Sequence, residues 1–225
     1  MSITAIADHA FDGHPLDGLP PLRNEPVQAR SAARLTALLD AAAAIVDEIG
    51  FERLTTAMVA ERAGASIGTV YRYFPDRIAV LQALAARNLE RVLTGVVNEV
   101  ENPGHPDWQT ALAAGFGVFV DAFRSEPGFR SLRLGDVLDL GPSGSERSYN
   151  AVVAETIMDA LVARFGIVDS ERTRFLFEAA VEVSDALAAR AFARDPNGDP
   201  QFLEVGRDTV FMMVRDAFEG AEPEA

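Results

Sequence analysis

Residues Thr55 to Leu81 read TTAMVAERAGASIGTVYRYFPDRIAVL, and their spacing divides them into two short helices, a tight turn between, and the opening of a longer helix. Met58, Val59 and Ala63 place apolar groups on the first short helix, and Gly64 supplies the left-handed residue that ends it. Ser66 then stands where its hydroxyl accepts from the backbone N–H near Thr69, capping a second helix over Ile67 to Phe74. On that helix Val70 and Phe74, four apart, face a core, with Thr69, Tyr71, Arg72 and Tyr73 crowded around them. A helix this short is not stable alone. Its tyrosines therefore suit either a ligand surface whose partner offers phosphate oxygens and flat bases, or the half-buried edge of a domain.

Ala60, Ala63, Gly64, Ser66, Gly68, Thr69, Val70, Tyr71, Tyr73, Phe74 and Arg77 spell A-x-x-A-G-x-S-x-G-T-V-Y-x-Y-F-x-x-[KR]. In that order they resemble the DNA-binding signature of the tetracycline-repressor (TetR) family of bacterial transcription regulators, and the likeness runs from Arg34 to Leu84. Two departures are local: Arg77 stands where the family often has Lys, and Ile78 where an acidic residue follows it. Ala57 occupies a position at which some relatives carry a basic, base-reading side chain, so the first helix of the pair is expected to read little sequence.

What the resemblance implies can be assigned residue by residue. Thr55 and Thr56, opening the first helix, hold phosphate with hydroxyls and helix N-terminal amides. Ser66 belongs to the same interface, Gly68 lets the recognition helix approach the groove, and Thr69 and Arg72 face base edges, Arg being able to bridge O6 and N7 of guanine. Tyr71, Tyr73 and Arg77 grip the backbone. Val70 and Phe74 are packing residues.

The whole chain of 225 residues has a net charge of −14, which taken alone argues against nucleic acid. The charge is unevenly placed: residues 23–95 hold nine Arg against eight acidic residues, whereas residues 96–225 hold eleven Arg against twenty-three. One locally neutral head and one acidic body fit that partition. All 20 basic residues are Arg, and the absence of Cys excludes both a disulfide framework and a thiolate metal site. No run approaches a membrane span and no basic-then-apolar leader opens the chain, so a cytoplasmic protein is expected.

Residues 1–28, rich in Pro and Gly without periodicity, read as a flexible arm whose His9 and His14 have no third metal-ligating neighbour. A first helix over Ser31–Ile49 carries the stripe Leu35, Leu38, Leu39, Ala42, Ile45, Val46 and Ile49 and stops at Gly50. The head is thus 29–75. A larger C-terminal domain, 76–225, begins with a long helix capped by Asp76 and running to Val100, which links the two parts. Helices follow over about 107–124, a shorter one through Phe129 to Leu138, then 146–165, 170–194 and 200–219, with a loop at Gly141–Gly144. No strand-like alternation appears, so the expected fold class is all-α, a three-helix helix-turn-helix head plus a helical body.

In the body, Trp108, Leu112, Phe116, Phe119 and Phe123 share one side of a helix, forming either core or the wall of an apolar ligand pocket. Glu178, Glu182 and Asp185 share a face too, which is either solvated or a wall that recognises a cation. The last helix carries apolar groups on more than one face and its partner is studded with alanines, so a second subunit is expected to cover Ala186, Ala189, Phe202, Val210, Phe211, Met213 and Val214. There is no Gly-rich phosphate loop or nucleophile elbow, and His105 is the only body histidine; neither catalysis, metal nor cofactor is expected. The resemblance implies a homodimeric regulator, most often a repressor, that binds a double-stranded DNA operator and releases it for a small-molecule effector. An activator or effector-independent regulator of the same fold, or an acidic protein-interaction module, are the alternatives.

Overall fold

The computed structural model describes residues 29–130 and 149–220. The arm, the short helix through Leu132–Leu138 and the loop at Gly141 lie outside the described residues. Eight α-helices and one 3-10 turn make up the described chain, with no strand among them: α1 (Ala29–Ile49), the turn Phe51–Arg53, α2 (Thr56–Arg62), α3 (Ile67–Tyr73), α4 (Arg77–Glu101), α5 (Trp108–Ser125), α6 (Tyr149–Phe165), α7 (Glu171–Arg194) and α8 (Pro200–Phe218).

Of the described residues, 29–89 and 126–130 form one compact unit, and 90–125 with 149–220 the other. In the first, α1 buries Leu38, Leu39, Ala42, Ile45 and Val46, against which Leu54, Val59, Val70, Tyr73 and Phe74 pack. Ala79, Val80, Leu81, Leu84 and Ala85 of α4 enter the same core, which is why the opening turns of the long helix belong to this unit. Gly50 ends α1 at φ 85°, its N–H donating to the Val46 carbonyl at 2.9 Å. Gly64 ends α2 at φ 58°, and nothing lies within 4 Å of where its Cβ would stand, so the left-handed backbone alone asks for glycine there.

In the second unit α7 and α8 form an antiparallel pair. Phe177 near the start of α7 meets Phe218 at the end of α8, with ring centroids 5.9 Å apart. The joining segment Asp195–Asp199 turns at Gly198 (φ 86°), where a Cβ would come within 2.8 Å of Leu203 and 2.9 Å of Phe192. Asp199 then caps α8 by accepting from the Gln201 N–H at 3.0 Å. The second half of α4 and α5 also approach closely: a Cβ on Gly95 would lie 2.7 Å from Val118, and one on Gly115 3.0 Å from Val96.

Candidate nucleic-acid interface

Helices α2 and α3 are held by local caps that the sequence specifies. Thr55 accepts from the Met58 N–H at 3.2 Å and Ser66 from the Thr69 N–H at 3.1 Å, each offsetting one unpaired donor at a helix start. The Ser66 hydroxyl also bonds the Thr69 hydroxyl at 2.9 Å, so the cap fixes the side chain next to it on α3. The Thr56 hydroxyl donates to the Tyr71 phenol at 3.4 Å, tying the first turn of α2 to the outer face of α3.

Helix α3 divides sharply. Val70 is buried and Phe74, just past its end, is fully covered, whereas Ile67, Gly68, Tyr71 and Arg72 are exposed. A Cβ on Gly68 would meet only the Ser66 hydroxyl, at 3.8 Å, so the helix presents bare backbone there to whatever approaches. Tyr73 departs from expectation. It is 1% exposed, its phenol lies 2.9 Å from the Ser31 hydroxyl of α1, and as a core residue it fastens α3 to α1. The reason is register: Val70, Tyr73 and Phe74 fall at i, i+3 and i+4, which is one helical face, and the core takes all three.

Exposed cations complete the face. Arg72 lies with its guanidinium 5.2 Å over the Tyr73 ring and 3.4 Å from the Tyr73 hydroxyl. Arg77 spends one of its donors on the Glu52 carbonyl, at 3.2 Å. Neither has a carboxylate within ion-pair reach among the described residues. Arg62 differs. Both of its terminal nitrogens bond Glu48 at 2.6 Å, and that hydrogen bonding holds the Glu48 carboxyl below its ordinary value and raises the guanidinium. Arg87 is bonded to Asp40 at 2.7 Å. The sequence shows only several arginines in this unit; the structure distinguishes those spent on internal pairs from those offered outward.

In the second unit the aromatic stripe of α5 is mostly core. Trp108 packs between Phe211 and Phe218 at 5.9 and 5.0 Å, Leu112 is buried, and Phe123 meets Phe119 edge-on at 5.1 Å and stacks on Phe192 at 4.9 Å. Phe116 and Phe119 are half-buried. On the acidic face, α7 turns Phe177, Ala180, Ser184, Ala188 and Ala191 inward, which leaves Glu182 almost opposite. Glu182 is exposed and accepts from the Asn150 carboxamide at 2.8 Å. Glu178 is half-buried.

The residues expected at a subunit face divide between the inside and the outside of the chain. Val210 and Val214, with Gly206 and Phe218, form the inward stripe of α8 and belong to the chain's own core, while Phe211, half-buried, lies on Trp108. Phe202 sits under the Arg194 guanidinium at 5.5 Å, and Met213 and Ala189 are half-buried; Ala186 is exposed. The apolar groups left in water are others: Phe175 (68% exposed) and Val183 on α7, Val205 and Met212 (66%) on α8. Val205 and Met212, seven apart, lie on the outward side of α8, a spacing visible in the sequence but masked by the density of apolar residues around it.

Two family descriptions match the chain: residues 38–84 that of bacterial regulatory proteins of the tetR family, and residues 106–213 that of a tetracyclin repressor-like C-terminal domain. A crystal structure of a TetR-family transcriptional regulator from Streptomyces coelicolor is 32% identical, covers 82% of this chain and 99% of its own, and superposes with a TM-score of 0.69. The chain belongs to the TetR family. Members of this family are DNA-binding transcriptional regulators, not enzymes, with a helix-turn-helix domain and a ligand-binding C-terminal domain. Among curated TetR-like relatives, the HTH-type transcriptional repressor KstR of Rhodococcus jostii is 42% identical over 55 residues, 24% of this chain and 26% of KstR. The chain thus spans about a quarter of that relative's length. The HTH-type transcriptional regulator BetI of Cronobacter sakazakii is 24% identical over 210 residues, 91% of this chain and 98% of BetI. None of the described helices is long and apolar enough to cross a membrane.

Proposed function

We propose that this TetR-family regulator is a cytoplasmic homodimeric repressor that holds a pseudo-palindromic operator and lets go when a small, largely apolar molecule enters its C-terminal domain. The observation that carries the reading is the division of α3: Val70, Tyr73 and Phe74 are committed to the core, which leaves Thr69, Tyr71 and Arg72 on the side turned outward. Thr69 and Arg72 read base edges, while Thr55, Thr56, Tyr71 and Arg77 hold phosphates. Residues 29–75 act as the head and 76–225 as the effector-binding and dimerisation domain. Exposed Phe175, Val183, Val205 and Met212 support the second subunit, since apolar groups of this size gain roughly 1.5–3 kcal/mol each when covered. Repression is favoured over activation by the name of the KstR repressor, which resembles this chain over 55 residues.

Fluorescence anisotropy with duplexes flanking the chain's own gene tests the reading. One duplex is expected to bind in the presence of excess unrelated DNA, and Arg72→Ala is expected to relax preference at one base pair by about 1–3 kcal/mol. Equal binding of every duplex removes the operator; apolar compounds that leave operator affinity untouched remove the effector.

A further inference from the structure

The buried stripe of α4 is apolar at Leu81, Leu84 and Ala85 and again at Val92 and Val96. Asn88 interrupts it. It is 2% exposed, and neither its carboxamide oxygen nor its nitrogen finds a hydrogen-bond partner among the described residues. Buried side-chain amides are ordinarily matched, because an unmatched one forfeits the bonds it made to water in the unfolded chain. Leucine has the same four-atom branched side chain and would carry no such cost, so an amide at this position calls for a partner from outside the chain. Gln82, also buried with an unmatched oxygen, lies six positions earlier and about a third of a turn round the helix, so it does not share the Asn88 face.

We infer that Asn88 is the polar contact of the effector, and that the effector is an apolar molecule bearing one neutral group that both donates and accepts, such as an alcohol or a primary amide. The chemistry follows from the carboxamide, which offers N–H donors on one side and a carbonyl on the other. A carboxylate satisfies the N–H side but sets its charge against the carbonyl oxygen; an ammonium does the reverse. Either ion would also need a buried counter-charge: for a carboxylate, Arg87, the adjacent cation on α4, is already bonded to Asp40, and for an ammonium, Glu90, two positions on, lies about 160° round the helix from Asn88. This inference rests on the reading of the C-terminal domain as effector-binding.

The test uses the full chain, labelled with 15N in its asparagine side chains, and Asn88→Leu to identify the Asn88 signals. Probes are octan-1-ol and octanamide against octanoate and octylammonium, each added below its solubility limit at neutral pH. The neutral pair is expected to shift the Asn88 side-chain resonances and to bind at least about tenfold more tightly than the two ions, since one group must supply both hydrogen bonds. Asn88→Leu is expected to melt higher than the parent chain and to bind octan-1-ol about tenfold more weakly. The assignment is overturned if neither neutral probe moves those signals, if octanoate binds as tightly as octan-1-ol, or if Asn88→Leu binds octan-1-ol undiminished. It is also overturned if Asn88→Leu melts lower with unchanged probe binding, the mark of an amide matched by buried water. DNA anisotropy separates the two layers. Probes that bind at Asn88 without changing DNA affinity leave the site standing and remove the effector reading; apolar compounds that release DNA equally from parent and Asn88→Leu do the opposite.

Discussion

Tyr71 and Tyr73 sit two residues apart on α3, yet one is exposed and the other buried, and removing one oxygen from each tests the separate roles proposed for them. Tyr73→Phe deletes a phenol that is 2.9 Å from the Ser31 hydroxyl in a side chain only 1% exposed. A net intramolecular hydrogen bond contributes about 0.5–1.5 kcal/mol, and the Ser31 hydroxyl left behind is only part-buried, so the loss should fall within that range. For a chain of this size that lowers the melting temperature by roughly 1–6 °C. The phenol meets the outward face only through the long 3.4 Å contact from Arg72, whose guanidinium keeps its place over the ring, so affinity for DNA should change by less than about twofold. Tyr71→Phe acts the other way: its ring is 46% exposed and its hydroxyl is tied only to Thr56, at 3.4 Å. Stability should stay within about 0.5 kcal/mol of the parent, while loss of one phosphate hydrogen bond weakens DNA binding roughly two- to twelvefold. Differential scanning calorimetry and anisotropy titrations on the same preparations give both numbers. A Tyr73→Phe protein that melts normally but loses more DNA affinity than Tyr71→Phe would refute the division of α3 into a core face and a DNA face.

Gly198→Ala places a Cβ at φ 86° within 2.9 Å of Phe192 and Leu203, so it should cost about 2 kcal/mol or more in urea unfolding; a loss below about 0.5 kcal/mol contradicts the tight α7–α8 turn. Burial raises the Glu90 carboxyl above its ordinary value, more than Arg91 lowers it. A raised carboxyl opposes folding once pH exceeds its unfolded value and is neutral in both states well below it. Glu90→Gln should therefore raise the melting temperature at pH 7 and leave it unchanged near pH 3; equal gains at both pH values exclude the charge as the cause. Val205→Asp with Met212→Asp should give a folded monomer in sedimentation velocity, whereas Val214→Asp, in the chain's own core, should unfold the protein. An unchanged dimer in the double variant moves the interface elsewhere.

The head was legible in its sequence because its punctuation is chemical. Gly50 and Gly64 at positive φ, and Ser66 and Asp76 as helix caps, all act within four residues of where they stand. Tyr73 is not legible in this way, because an aromatic with a hydroxyl suits both an interface and a core, and its burial against Ser31, 42 positions away, shows only in the fold. Helix α8 was harder still. Its run from Val210 to Val214 is apolar at every position, so the face turned inward is set by Trp108 and Phe177 on other helices, and composition cannot choose it. Glu182 illustrates the same limit: a shared helical face says which residues travel together, not which way that face turns.

Selection from a random double-stranded library with the purified 225-residue chain, followed by sequencing and titration of the winners, tests the central claim most directly. Two heads related by a dyad are expected to enrich a pseudo-palindrome whose half-sites lie about one helical turn apart, roughly 34–36 Å, or somewhat more. The parent protein should bind it far more tightly than scrambled DNA, and Arg72→Ala should blunt the preference at symmetry-related positions in both halves. A library that stays unenriched, or an enriched site indifferent to Arg72, would contradict the assignment of the outward face of α3 to reading DNA.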